Sequence, residues 1–116
     1  MDQTRIEKPW GYEVIWAKTD HYVAKIIAIN PGQRLSKQYH NEKTETVYVL
    51  EGTLINYDKD DVATHFAAGQ NFHVEPGQIH RFGTTDNRYV KIMEVSTNHL
   101  NDVVRLEDDY GRTGGT

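Results

Sequence analysis

Four side chains in two short stretches have the chemistry and the spacing of a metal-binding set. Gln38 and His40 stand two apart, so on a strand both project from one face. Glu45 opens the run Glu-Thr-Val-Tyr-Val-Leu and shares its parity with Val47 and Val49, which sends its carboxylate to the side of two core residues. A carboxylate aimed at a core is costly unless a cation neutralises it. Imidazole nitrogen and carboxylate oxygen are ordinary ligands of a borderline divalent metal. The fourth member, His80, follows the tight turn Glu75-Pro76-Gly77-Gln78 and has Ile79 and Phe82 as apolar neighbours. Either histidine alone is more often satisfied by solvent or a backbone partner than by a metal. The joint pattern, set between the turn glycines Gly32, Gly52, Gly69 and Gly77, points to one ion.

Ligands this far apart in sequence must be brought together by paired strands. Gly11–Ala17, Tyr22–Ile29, Arg34–His40, Glu45–Leu50, Thr53–Tyr57, Val62–Phe66, Asn71–Val74, Ile79–Phe82 and Tyr89–Val95 read as short strands, rich in aromatic and β-branched residues and separated by Gly, Pro, Asn and Asp signals. No longer window has a helical period, so the chain is expected to be all-β, a sandwich or barrel. Residues 1–10 form an N-terminal arm, in which Pro9 stops any helix. Residues 11–97 are the barrel, 98–112 a polar C-terminal wrap with a short strand and a turn or short helix, and 113–116 a frayed tail. At 116 residues this is one domain.

Composition narrows the partners. A net charge of -4 without a basic run argues against nucleic acid. No segment has transmembrane length and Met1-Asp-Gln-Thr-Arg5 does not open a signal peptide, so no membrane partner and a cytoplasmic location are expected. Without cysteine, any metal must be held by His, Glu, Asp or Gln.

Gly32-x5-Gln38-x-His40-x4-Glu45-x6-Gly52 resembles the first cupin motif, with Gln in the place of a His, and Gly69-x7-Gly77-x2-His80 resembles the second, with its proline one place later at Pro76. The resemblance implies a small cupin jelly-roll β-barrel with a metal inside its mouth. Lys8-Pro-Trp-Gly-Tyr-Glu13, Pro31-Gly-Gln-Arg-Leu-Ser-Lys-Gln38-x-His40 and Asp102-Val-Val-Arg105-x-x-Asp108-x-Tyr110-Gly-Arg112 extend it over nearly the whole chain to the isomerase domain of type II phosphomannose isomerases. That likeness implies a metal site of Gln38, His40, Glu45 and His80. It implies zinc, with Mn2+, Ni2+ or Fe2+ as alternatives, and carbohydrate metabolism with a sugar phosphate such as mannose 6-phosphate as substrate. It also implies a homodimer formed by facing sheets, with Lys8–Ala17 as a strand that could be lent to the partner. Where that family reads His-His-His-Arg-x-Glu-His-Trp, this chain has His40-Asn-Glu-Lys43-Thr-Glu45-Thr46-Val47. Lys43 keeps the charge of the arginine and loses its bidentate fork.

Aldose–ketose isomerisation needs a polarised carbonyl, a proton shuttle and, for a phosphate ester, a cationic clamp. Arg34 shares the parity of Gln38 and His40 and is a candidate substrate-binding residue, as is Arg105; Lys43 and Arg112 are candidate catalytic residues. Arg34 has a competing role, capping the barrel by pairing with an acid. Arg105 and Arg112 have another, an ion-pair mesh with the acids of the tail. Glu42, Lys43 or a metal-bound water are the alternatives for the base. The rival to an isomerase is a metal-binding cupin that binds a sugar or sugar phosphate without turnover; a metal-dependent dioxygenase fits less well, because it would call for more histidines.

Overall fold

The computed structural model describes residues 2–112; the expected frayed end at 113–116 lies outside the described residues. Eleven strands follow one another: β1 (Thr4–Lys8), β2 (Gly11–Lys18), β3 (Val23–Ile29), β4 (Lys37–Tyr39), β5 (Glu45–Glu51), β6 (Thr53–Tyr57), β7 (Ala63–Ala67), β8 (Asn71–Val74), β9 (Arg81–Gly83), β10 (Val90–Ser96) and β11 (Val104–Glu107). The described residues contain no helix, so the fold is all-β. The strands form a six-stranded sheet in the order β1-β2-β3-β10-β5-β8, a three-stranded sheet β7-β6-β9 and a pair β11-β4.

Alternation of side chains builds the core between these sheets. Val47 and Val49 of β5, Ile92 and Val90 of β10, and Ile27 and Ile29 of β3 turn inward and meet Leu54, Phe82 and Val74. Each such side chain, fully buried, contributes about 1.5–3 kcal/mol. The turn at Gly52 shows why its position admits glycine alone. Its φ is +83°, and a Cβ there would lie 2.5 Å from the backbone oxygen of Tyr89.

Two expectations need correction, and the wrap takes the first of its two expected forms. The N-terminal arm is partly a strand: β1 pairs with β2 in a hairpin, Thr4 opposite Ile15 and Lys8 opposite Gly11. Lys8–Ala17 is therefore not one strand, and β2 finds both neighbours, β1 and β3, in its own chain. The wrap carries strand β11 and turns, with no helix among its described residues. The strand expected over Arg34–His40 is only Lys37–Tyr39, and Arg34 makes an isolated bridge to Gly83.

Candidate metal centre

Backbone pairing places each ligand candidate. Gln38 and His80 face each other across an isolated antiparallel bridge, N–H to O in both directions at 3.0 and 2.9 Å. Directly opposed residues project to the same side, so this bridge sends the amide and the imidazole into one space. His40 follows β4, and its backbone oxygen accepts the N–H of Gly77 at 2.7 Å, joining the two turn segments. Glu45 enters from β5 with the inward parity of Val47 and Val49 and is 2% exposed.

The side chains converge. His40 Nε2 lies 3.0 Å and His80 Nε2 3.1 Å from Glu45 Oε1, and the candidate ligand atoms of the three residues fall within 4.8 Å of one another. His40 Nδ1 faces the backbone oxygen of Asp102, and His80 Nδ1 that of Gln78. A carbonyl only accepts, so both Nδ1 atoms carry the hydrogen. In the neutral ring this leaves both Nε2 lone pairs aimed at a carboxylate, acceptor against acceptor. Among the described residues, His80 Nε2 and Glu45 Oε2 are buried without a hydrogen-bond partner. A divalent cation satisfies all of these lone pairs at once, and backbone carbonyls behind ligating histidines are the usual outer support of such an ion. The donor set therefore fits a metal. Gln38, His40 and Glu45 line one cavity, His80 being fully buried and outside its lining, and Gln38 Oε1 accepts the Ser36 hydroxyl at 3.3 Å.

A network of buried charge surrounds the ligands. Lys43 Nζ lies 3.2 Å from Glu94 and 3.6 Å from Glu45. Burial works against its charge, but Glu94 and Glu45 outweigh that and raise its pKa, so Lys43 is a fixed cation. Burial pushes the Glu94 carboxyl up to about 8, helped by the charge of Glu45. Burial also opposes ionisation of Glu45, but Glu94, the close approach of the His40 and His80 rings and the charge of Lys43 outweigh it and hold the carboxyl well below the usual carboxylate range. Glu94 escaped the sequence reading, yet its signal was present: it shares the inward parity of Val90, Ile92 and Ser96, the same cue that singled out Glu45. Glu13 and Lys25, also missed, are buried on the cavity wall.

The tail closes one side. Asp102, Val103, Arg105 and Arg112 line the cavity with Gln38, His40, Lys43 and Glu45. Asp102 accepts the backbone N–H groups of Asn41, Glu42 and Lys43 at 3.0, 2.7 and 2.9 Å. Those bonds, that of Asn41 foremost, draw its pKa down to about 2. Arg105 sits opposite Gln38 in the β11–β4 ladder, and its buried Nε has no partner among the described residues. Arg112 is held by Asp108 at 2.9 and 3.0 Å.

Other candidates lie elsewhere. Arg34 does not line the cavity; it grips Asp109 at 2.6 and 2.9 Å, beside the buried Arg81. Strand parity could not carry it inward because β4 begins only at Lys37, after it. Glu42 is exposed beside His99, 3.5 Å away, and lines a separate groove. Thr46, one of the two departures beyond Glu45, points outward to His73 at 2.7 Å, and Val47, the other, is sealed in the core. Neither lines the cavity, whereas Lys43 does.

Comparison with known proteins bears on the family and the fold. A family model described as mannose-6-phosphate isomerase C-terminal matches residues 1–108. The alginate biosynthesis protein AlgA of Pseudomonas aeruginosa is 30% identical over 116 residues, covering 97% of this chain and 24% of AlgA. Mannose-1-phosphate guanylyltransferase of Escherichia coli K12 is 32% identical over 111 residues, covering 92% of this chain and 23% of that protein. The chain thus spans about a quarter of the length of these relatives. Among solved structures, a cupin-superfamily sugar phosphate isomerase from Silicibacter pomeroyi has a TM-score of 0.72 at 18% identity, covering 81% of this chain and 64% of that one. A cupin-like protein from Thermotoga maritima has a TM-score of 0.75 at 16% identity, covering 84% of this chain and 76% of that one. At these identities the likeness establishes the cupin fold.

Proposed function

We propose that this chain, which belongs to the mannose-6-phosphate isomerase C-terminal family, holds one divalent metal ion through Gln38, His40, Glu45 and His80 and isomerises a sugar phosphate. The observation that supports it most is the set of inward-facing lone pairs: two histidine Nε2 atoms around Glu45 Oε1, with His80 Nε2 and Glu45 Oε2 buried and unpartnered. The sugar-phosphate class is supported by the family description and by the mannose 1-phosphate named for the E. coli relative. Zinc suits two imidazoles, a carboxylate and an amide oxygen; Mn2+, Ni2+ and Fe2+ are the alternatives.

When bound, the ion supplies Lewis acidity toward a carbonyl oxygen. The chain's own groups do the rest. Arg105 and Arg112 offer guanidinium groups to a phosphate, and the unpartnered Nε of Arg105 is free to donate. Glu94 faces the same cavity with a pKa of about 8, near the operating range of a general acid and base. It takes the proton from C2 of an aldose on its carboxylate and returns it to C1, while the hydroxyl proton passes from O2 to O1. Lys43, a fixed cation against Glu94 and Glu45, stabilises negative charge rather than abstracting a proton. The tail residues from Asp102 to Arg112 keep bulk water off this side. We also propose a cytoplasmic setting, because phosphorylated sugars do not cross membranes unaided, and a homodimer through the outer face of the six-stranded sheet.

Proton wash-in tests the isomerase reading. Metal-loaded protein is incubated with aldose and ketose phosphates, mannose 6-phosphate and fructose 6-phosphate among them, in deuterated water. Deuterium at C2 of the aldose or C1 of the ketose is expected. Saturable binding with no exchange across the panel contradicts turnover and supports the second reading, a metal-binding cupin that retains a sugar phosphate. Lys43 in place of the family's arginine favours that second reading.

A further inference from the structure

We propose that Glu13 and Lys25, with Lys8 at their edge, form a polyol-recognition wall that reads the sugar hydroxyls of a phosphate ester bound in the metal cavity. The ligand class rests on the function proposed above; the wall rests on its own geometry. Glu13 on β2 and Lys25 on β3 are each 8% exposed and line the same cavity as Gln38, His40 and Glu45. They belong to the inner face of the six-stranded sheet, where Lys25 stands in register with Glu94.

An ion pair in this place is not explained by stability, since two apolar side chains of similar volume would pack there at no greater cost. Nor is the pair tight. Lys25 Nζ lies 3.4 Å from Glu13 Oε1, and Lys8 Nζ 3.9 Å from the same oxygen, against about 2.7–2.9 Å for a well-made charge-assisted bond. Among the described residues, Glu13 Oε2 accepts no hydrogen bond and Lys25 uses one of its three donors. Neither group is a sealed orphan; both open on the cavity. A sugar diol presents the complement. Each hydroxyl donates one hydrogen and accepts another, so adjacent hydroxyls can span a carboxylate and an ammonium side by side. Arg105 and Arg112 take the phosphate from the tail, and Glu13 and Lys25 take the hydroxyls from the sheet. Discrimination of this kind is strong, because a ligand without the hydroxyls leaves buried charged groups short of partners.

Calorimetric titration of the metal-loaded protein with mannose 6-phosphate and with inorganic phosphate tests the wall. The variants are Glu13→Gln, Lys25→Met and the two combined. The combined variant leaves net charge unchanged and strands neither partner, so it keeps the test informative if a single variant fails to fold. Wild type is expected to bind mannose 6-phosphate more tightly than inorganic phosphate. The combined variant is expected to lose about tenfold or more toward mannose 6-phosphate, with unchanged affinity for inorganic phosphate and unchanged metal content. Equal weakening toward both ligands, or unchanged mannose 6-phosphate binding, overturns the wall. So does a wild type that binds inorganic phosphate as tightly as the sugar phosphate. Failure of the isomerase reading has a different signature: mannose 6-phosphate binds, the variants shift its affinity selectively, and no deuterium enters the sugar.

Discussion

Glu94 is the residue on which the proposed metal binding and the proposed proton transfer separate. It pairs with Lys43 and lines the cavity, but it is not one of the three residues whose candidate ligand atoms cluster. Replacing it with glutamine preserves shape and removes the titrating group. Glu94→Gln is expected to keep stoichiometric metal and to lower kcat by about 10²- to 10⁴-fold, the usual weight of a general acid–base group; steady-state kinetics beside metal analysis checks this. The same residue gives the metal-free protein a pH signature. Its folded pKa of about 8 lies above the ordinary 4.5, so between those values the folded state holds a proton that the unfolded state has released. Stability from this group is therefore full below about pH 4.5 and is lost as pH rises through 8. Thermal melts of metal-free protein at pH 5 and pH 8 should differ less in Glu94→Gln than in wild type. Glu94 was legible in principle, because parity along Val90–Ser96 marks it as Glu45 was marked. Pairing across the sheet was not legible, and it is that pairing which sets Glu94 beside Lys25.

At the scale of elements, the tail and the turn Asn41–Lys43 behave as one piece because Asp102 joins them. Its side chain accepts three backbone N–H groups of the turn, and its backbone oxygen faces His40 Nδ1. Asp102→Ala is expected to cost about 1–2 kcal/mol, as the loss of a cap does. Without the side chain to hold the tail, the backbone oxygen behind His40 loses its fixed position, so metal binding should also weaken by about 10- to 100-fold, the usual effect of disturbing a ligand's outer support. Denaturant unfolding and a competition titration read the two effects separately. Because the Asp102 carboxyl sits at about 2, below its ordinary 3.8, its contribution is present above pH 3.8 and fades as pH falls through 2. Sequence could mark the tail as polar and near the mouth, but a clamp between positions 60 apart leaves no local trace. Arg34 shows the reverse failure. The alternation was sound for Gln38, but the strand is three residues long, and the chain enters the pleat only after Arg34. The turn glycines Gly32, Gly52, Gly69 and Gly77 fared better, because all four take a positive φ, a local demand, whereas the demand at Gly11 comes from the neighbouring strand. At Gly11 a Cβ would lie 2.0 Å from the backbone oxygen of Ala28, so Gly11→Ala should force β2 off β3 and lower the melting temperature sharply.

The whole molecule turns two unlike faces outward from its sheets. The inner face of the six-stranded sheet carries the charges of the cavity, and the outer face carries Tyr12, Val14, Trp16, Ile26 and Met93 around a shallow apolar groove. Trp16, Tyr48, Leu50 and Val95 are also among its exposed large side chains. The proposed homodimer covers this face, so Trp16→Glu with Met93→Lys should shift the sedimenting mass from two chains to one; unchanged mass in the variant, or a monomeric wild type, counts against it. The proposed metal centre would belong to each chain alone, since His40, Glu45 and His80 converge within one chain. Metal analysis of protein purified without chelator tests that claim most directly. One equivalent of divalent ion per chain is expected, falling to near zero in His40→Ala and in His80→Ala while the β-sheet circular dichroism persists. Folded variants that keep their full metal content, or a wild type that takes up no divalent ion when loaded, would contradict it.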